Sequence, residues 1–256
     1  MAEYYPAELA TAATFAAIAV HLHDAECVED TVEATVAWAL QAIRCDYAGV
    51  ALMGRGGRLE IAAVTDPVVE TIYRFQLLDG DGPLIAAARE EKPVRVRDAA
   101  TETRWPRWAE MITGLGVHSV VQVPMLIGGQ VAGVLSAYRN RPDAFSDDDE
   151  AVAQILARHA SIAVTTARRQ SSLAQAVDAR KLIGEAMGIL MERFDLDGDR
   201  AFEVLKRYSQ DTNTKLRDVA ACLIETRRLP ASDQPLTRPR LTQLIAQATP
   251  SEVSAT

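Results

Sequence analysis

The sequence predicts an α+β fold in two parts: an antiparallel sheet flanked by helices, then a long helix leading into a small three-helix bundle. Three observations predict it. Five short apolar runs, set apart by Gly- and Pro-rich turns and by helical patterns, lie between Tyr47 and Tyr138. From Ser146 no proline or glycine interrupts the chain until Gly184. From Arg180 to Leu229 apolar residues recur at helical spacing in three segments separated by polar turns.

The elements follow in order. Leu9, Phe15, Ile18, Ala19 and Leu22 recur at helical spacing, and Val28, Val32, Val36, Ala39, Leu40 and Ile43 repeat the pattern, so 7–43 reads as two helices. Tyr47–Met53 and Leu59–Val64 read as strands around the turn Gly54-Arg55-Gly56-Gly57. Asp66-Pro67 opens a helix, because proline's missing N–H costs nothing in a first turn. Gly80-Asp81-Gly82-Pro83 is a turn whose proline opens a second helix through Ala88. After the break at Lys92-Pro93, Val94–Arg97 reads as a strand. Arg104–Leu115 reads as a helix that Gly116 stops. Val117–Leu126 and Gln130–Tyr138 flank Gly128-Gly129, the strongest hairpin signal in the chain.

Ser146 is a fit N-cap, and Asp147, Asp148, Asp149 and Glu150 place carboxylates where the helix dipole favours them. Down this helix Val152, Ile155, His159, Ile162, Thr166, Arg169, Leu173, Ala176, Arg180 and Ile183 alternate at spacings of three and four. Thr166 and Arg169 interrupt the seam, as in a short, imperfect coiled coil. Packing on the chain's own sheet explains 147–165 equally well; beyond Thr165 self-association is the better reading. The last segments read as a helix to about Phe194, a turn at Asp195–Gly198, a helix at Asp199–Gln210, a turn at 211–213, and a helix at Lys215–Arg228 capped by Thr214. Ile183, Ala186, Leu190, Ala201, Phe202, Leu205, Tyr208, Leu216, Val219, Ala220 and Leu223 are its expected core. Pro230, Pro235 and Pro239 among polar residues mark 231–256 as a flexible tail.

Composition narrows the function. The formal net charge is −8. Residues 1–170 hold 15 Lys and Arg against 23 Asp and Glu, whereas 171–230 hold 10 of each. An acidic front half repels phosphates, so contact with nucleic acid must be local and selective. No apolar run reaches a membrane span, and MAEYYPAEL lacks the marks of a secretory signal. Cys27, Cys45 and Cys222 are odd in number and without metal spacing, which fits buried, reduced thiols. A cytoplasmic protein without membrane contact is expected. The sequence holds no Walker glycine loop, no His-Glu-x-x-His helix and no nucleophile elbow, so no enzyme is expected. Asp195-Leu196-Asp197-Gly198-Asp199 lacks the terminal Glu of a calcium loop and reads as a turn.

The C-terminal segment combines Arg180, Ile183, Ala186-Met187-Gly188-Ile189-Leu190-Met191, Ala201-Phe202, Leu205 and Leu216-Arg217-Asp218-Val219-Ala220 over about fifty residues. In these residues and their spacing it resembles the ANTAR family of RNA-binding antitermination regulators. It departs at Met187, where the family pattern has Lys. The resemblance implies a homodimer that binds two adjacent RNA stem-loops and keeps a terminator from forming. The residues themselves agree in part. Arg180, Gly184, Met187 and Met191 share one stripe. There a glycine lets RNA approach the backbone, an arginine can stack or pair with phosphate, and methionines can touch a splayed base. Asn213, Thr214, Lys215 and Arg217, at the start of the last helix, can present N–H groups and cations to phosphate. A solvated helix face and an ordinary cap are the plainer alternative.

In the segments Gly82–Ala87, Pro93–Asp98, Arg104–Ala109, Gly116–Pro124 and Gly133–Tyr138, residues 26–166 resemble a GAF domain. The resemblance implies a regulatory sensor of a family in which some members hold a small molecule, haem, a tetrapyrrole or an iron centre and others only mediate dimerisation; an unknown small-molecule ligand is the open expectation, and the residues identify no cofactor and no metal. His118 reads as structural, and Trp105 and Trp108 as packing anchors rather than a ligand cage. The organisation is then an N-terminal helix (1–25), a GAF sensor (26–166), a linking helix or coiled coil (147–180), an ANTAR domain (171–230) and a tail (231–256). Two other functions fit less well: a helix-turn-helix-like DNA-binding regulator, and a ligand-sensing protein-interaction module without nucleic acid.

Overall fold

A computed structural model describes Val20, Leu22, residues 27–54 and residues 56–229. Of the predicted N-terminal helix (1–25) only Val20 and Leu22 are among the described residues, both helical, and the tail at 231–256 lies outside them. The chain divides into two compact units, Met1–Gln170 and Ser171–Thr256.

In the first unit α1 (Val28–Ala42) precedes β1 (Tyr47–Met53) and β2 (Leu59–Val64). Next come α2 (Pro67–Asp79), α3 (Pro83–Glu90), β3 (Val94–Val96), a 3₁₀ turn (Ala99–Thr101), α4 (Pro106–Gly114), β4 (Ser119–Ile127) and β5 (Gln130–Arg139). The strands form one five-stranded sheet in the order β2-β1-β5-β4-β3, with every neighbouring pair antiparallel. β5 sits at its centre, between β1 and β4. The Gly128-Gly129 hairpin is present: Ile127 pairs with Gln130 and both glycines have positive φ, 56° and 76°. That is the type I′ geometry two L-residues with side chains adopt only at a cost.

The sheet is covered on both sides, so β1, β4 and β5 are buried along most of their length rather than alternating, while the edge strand β2 stays partly exposed. One apolar cluster packs α1 and the start of α5 (Asp147–Phe194) against Val50, Leu52, Val121, Val123 and Leu135. Another packs α2, α3 and α4 against Ala51, Val120, Val134 and Tyr138, with Tyr73, Leu84, Trp108 and Ile112 fully buried. Polar groups in this second layer satisfy one another. Tyr73 Oη donates to Ser136 Oγ at 2.6 Å, Ser136 Oγ donates to Gln122 Oε1, and Gln122 Nε2 donates to Tyr138 Oη at 3.3 Å. Burial holds the Tyr73 hydroxyl well above the usual tyrosine range and pushes Tyr138 up to about 12.

Local chemistry fixes several ends. Asp66 caps α2 by accepting from Val68 N at 2.8 Å, and Gly80 closes it in the left-handed region. Ser146 Oγ accepts from Asp149 N at 3.1 Å while the Asp149 carboxylate accepts from Ser146 N at 2.9 Å, a reciprocal cap on α5. The strand before β5 starts later than expected, at Ser119, because Val117 still bonds back to the end of α4 (Val117 N to Ile112 O, 3.2 Å).

The second unit contains the C-terminal part of α5, then α6 (Gly198–Asp211) and α7 (Leu216–Thr226). Ala186, Leu190, Ala201, Val204, Leu205, Tyr208, Val219, Ala220, Leu223 and Leu229 form its core.

Candidate functional site

The three-helix head is organised by its turns. Asp195 and Asn213 both take positive φ, 57° and 50°, so each reverses the chain without glycine. Asp197 caps α6, its Oδ1 accepting from Arg200 N at 2.8 Å. At the start of α7 the N-cap position is Lys215, not Thr214, and no side chain caps it. Thr214 is drawn one position back: its carbonyl accepts from Ser209 Oγ at 2.6 Å and its own hydroxyl donates to Thr212 O at 3.3 Å. The first N–H groups of α7 therefore have no capping side chain in front of them.

The predicted residues fall into two groups. On α5, Arg180 and Gly184 are exposed one turn apart, and nothing stands within 4 Å of where a Gly184 Cβ would sit. Met191 lies 39% exposed. Met187 turns partly inward instead; it packs on the head's core, with Cε 3.8 Å from the position of a Gly198 Cβ. At α7, Asn213 and Lys215 are exposed, Thr214 is half-buried, and Arg217 is exposed with Nε 3.0 Å from Asp218 Oδ1. Lys206 and Arg207 are engaged on their own helix, by Glu203 at 3.0 Å and Asp211 at 3.2 Å.

Two residues escaped the sequence reading. Gly188 is exposed one turn beyond Gly184, again with open space above it, and the same spacing of four could have found it. Phe202, expected in the core, is 36% exposed. The inward positions on α6 are Ala201, Val204, Leu205 and Tyr208, and Phe202 stands a third of a turn off that face. Ile183 packs against the head's core, so the predicted seam does not continue through it. The exposed apolar residues on this part of α5 are Leu173, 68% exposed, and Val177, 62% exposed. They precede Arg180 and Gly184 at spacings of four, three and four, on one helix face.

Among the described residues the first unit offers several open hollows. One of about 760 Å³ is lined by Met53, Arg58, Leu59, Leu77, Ile85 and Arg89. Another of about 470 Å³ lies between the β4–β5 turn and α5, among Pro124, Leu126, Ile127, Arg158 and Ile162. A smaller one, of about 100 Å³, lies against Trp105 and Trp108. His118 Nδ1 is 4.0 Å from Asp98, and among the described residues no cluster of His, Cys, Asp and Glu is arranged to hold a metal ion. Cys45 is buried, which pushes its thiol up to about 12 and leaves it unreactive at neutral pH. No helix among the described residues is long and apolar enough to cross a membrane.

Comparison with known proteins places both units. The family model for the GAF domain matches residues 25–165, and that for the ANTAR domain matches residues 171–224. No curated protein matches the chain. Among solved structures, the GAF domain from Acinetobacter phosphoenolpyruvate-protein phosphotransferase is 19% identical. It covers 66% of this chain and 97% of its own, with a TM-score of 0.51. The GAF domain from the corresponding Coxiella burnetii protein is 17% identical and covers 65% and 99%, with a TM-score of 0.50. Free methionine-R-sulfoxide reductase from Neisseria meningitidis, solved with its substrate, is also 17% identical and covers 66% and 97%, at 0.51. At these identities the likeness shows the fold. The chain belongs to the GAF domain family, and its GAF domain, a regulatory sensing module, is followed by an ANTAR domain, the RNA-binding module of antitermination regulators.

Proposed function

We propose that this protein is a dimeric transcription antitermination regulator whose ANTAR heads bind two adjacent stem-loops in nascent RNA under control of the GAF domain. The observation that carries this reading is the open strip on α5: Arg180 free of any partner among the described residues, beside Gly184 and Gly188 with nothing above them. Two glycines on an exposed helix face cost about 1 kcal/mol each against alanine. They also expose backbone that RNA can approach closely. Arg180 supplies a cation and a planar surface at one end of the strip, Met191 an apolar contact at the other, and Phe202 a ring on which an unstacked loop base can lie. Asn213, Thr214, Lys215 and Arg217 add a second point of contact: N–H groups without a side-chain cap and an ammonium with no ion-pair partner among the described residues suit a phosphate.

Leu173 and Val177 are the residues on which two copies would pair, two turns and one turn before Arg180, so that dimerisation brings two RNA-binding strips together. The neutral charge of 171–230 favours this selective contact over general duplex binding, since duplex affinity rests on phosphate neutralisation. Retention of the full chain on a two-hairpin RNA, on each hairpin alone and on duplex DNA tests the reading. Tight binding to the paired hairpins, weakened at least tenfold by Arg180→Ala with an unchanged melting temperature, is expected. Equal or better binding to duplex DNA would overturn it in favour of a DNA-binding regulator.

A further inference from the structure

The hollow at the β1–β2 turn differs in charge from the unit that carries it. Residues 1–170 hold 23 Asp and Glu against 15 Lys and Arg, yet this lining holds two arginines and no carboxylate. Arg58 comes from the β1–β2 turn and Arg89 from the last turn of α3. Both are exposed, and neither has a hydrogen-bond or ion-pair partner among the described residues. Elsewhere in the unit Arg74, Arg95, Arg104, Arg107 and Arg139 each lie on a carboxylate. Two unpaired guanidinium groups on one hollow attract an anion, and each presents a planar fork that a carboxylate fits at two points.

The rest of the lining is mainly aliphatic. Met53 ends β1, Leu59 opens β2, Leu77 comes from α2, and Ile85 and Ala88 come from α3. All five are half-buried, so each leaves apolar surface in the hollow that water now covers. No aromatic ring lines it, which leaves a flat base or indole nothing to stack on. An inorganic anion would cover none of the apolar surface, and an apolar amine would meet two cations. Met53 also touches the long helix. Arg168 Nη2 donates to Met53 O at 3.1 Å, one residue past Ala167, the last buried residue of α5 in this unit.

We propose that this hollow binds an aliphatic carboxylate of medium chain length. The carboxylate pairs with Arg58 and Arg89, and the chain covers Met53, Leu59, Leu77 and Ile85. A hollow of about 760 Å³ that opens to solvent lets the head stay at the surface with the arginines. Methionine, unbranched and adaptable, suits a flexible chain. A ligand seated on Met53 bears on the residue that Arg168 holds, and so on the end of α5's buried run. This ligand class rests on the sensing role of the GAF domain and not on RNA binding, so its test measures ligand uptake without RNA.

The full chain is titrated in a calorimeter with octanoate, with butyrate and with octylammonium, all below the concentrations at which they form micelles. Saturable binding of octanoate is expected. Each buried methylene is worth a factor of about four in affinity, so butyrate, four methylenes shorter, should bind at least tenfold more weakly. Octylammonium, with the same chain and the opposite charge, should also bind at least tenfold more weakly than octanoate. Arg58→Gln combined with Arg89→Gln should weaken octanoate at least tenfold while the protein melts as before, since neither side chain has a partner to lose. Arg158→Gln, in the hollow beside the β4–β5 turn, should bind octanoate as the parent does. The proposal is overturned by the absence of saturable heat with octanoate, or by undiminished affinity in the double variant. Octylammonium binding as tightly as octanoate, or a loss seen only with Arg158→Gln, overturns it as well.

Discussion

Arg139, at the end of β5, holds its guanidinium 3.5 Å from the Asp149 carboxylate in the first turn of α5. The same group donates to Ile43 O at 2.6 Å, to Arg44 O at 3.2 Å and to Ala144 O, and covers the Phe145 ring at 4.5 Å. One side chain thus satisfies carbonyls at the end of α1 and ties the central strand to the start of the long helix. Arg139→Ala leaves these carbonyls without their charged donor and is expected to cost about 2–3 kcal/mol, the scale for hydrogen bonds to a charged group. Arg139→Lys, which cannot fork to several carbonyls, recovers part of it. Urea denaturation followed by tryptophan fluorescence measures both. A loss below 0.5 kcal/mol for Arg139→Ala would show that water replaces the guanidinium.

The buried hydroxyls and thiol make an alkaline prediction. Tyr138 is held near 12 against an ordinary 10, and Cys45 near 12 against an ordinary 9.0. Below pH 9 both groups are protonated folded and unfolded, so neither makes stability depend on pH. Above it the unfolded chain releases protons that the folded chain retains, so unfolding gains with each pH unit. Stability should fall from about pH 9, and more steeply from pH 10 as Tyr138 joins. Each group contributes up to roughly 1.4 kcal/mol per pH unit. Cys45→Ala should flatten the curve between pH 9 and 10 while leaving the steeper fall above it. A curve unchanged in that variant would locate the pH 9–10 loss elsewhere.

The hairpin, the helix starts at Asp66 and Ser146, and the three-segment head were legible in the sequence because each depends on neighbours within a few residues. What pattern could not supply was pairing at a distance. Tyr73 and Ser136 bond across 63 positions, and nothing local to either residue announces the other. Phe202 was misplaced for a related reason: hydrophobicity marked it for the core, but its angle around α6 is set by the faces that Ala201 and Leu205 present to α5 and α7. On α5, the shared exposed face of Arg180 and Gly184 was legible from their spacing, while their role toward RNA was an expectation from the family resemblance. The inward turn of Met187 was not legible, since it depends on where α6 begins.

Gly133 gives a contrast between two kinds of glycine. A Cβ there would meet Ala51 O of the neighbouring strand at 2.4 Å, and backbone at the centre of a sheet cannot step aside. Gly133→Ala should therefore destabilise the GAF domain by more than 2 kcal/mol, within the range for overpacking a core. Thermal melting checks this, and a melting temperature within 2 °C of the parent would mean that β1 and β5 separate easily.

Gly184 stands at the opposite extreme. Its Cβ would enter open space, its φ needs no glycine, and alanine in an exposed helix is better than glycine by about 1 kcal/mol. Judged by stability alone, Gly184→Ala and Gly188→Ala should each raise the melting temperature. If RNA lies against this strip, the added methyl groups hold it off the backbone, and affinity for the two-hairpin RNA should drop at least fivefold in the same proteins. A more stable protein that binds less well is a combination that damage to the fold cannot produce. Stabilisation with undiminished binding would free the strip of RNA and leave the α7 start, around Lys215, as the contact to test next.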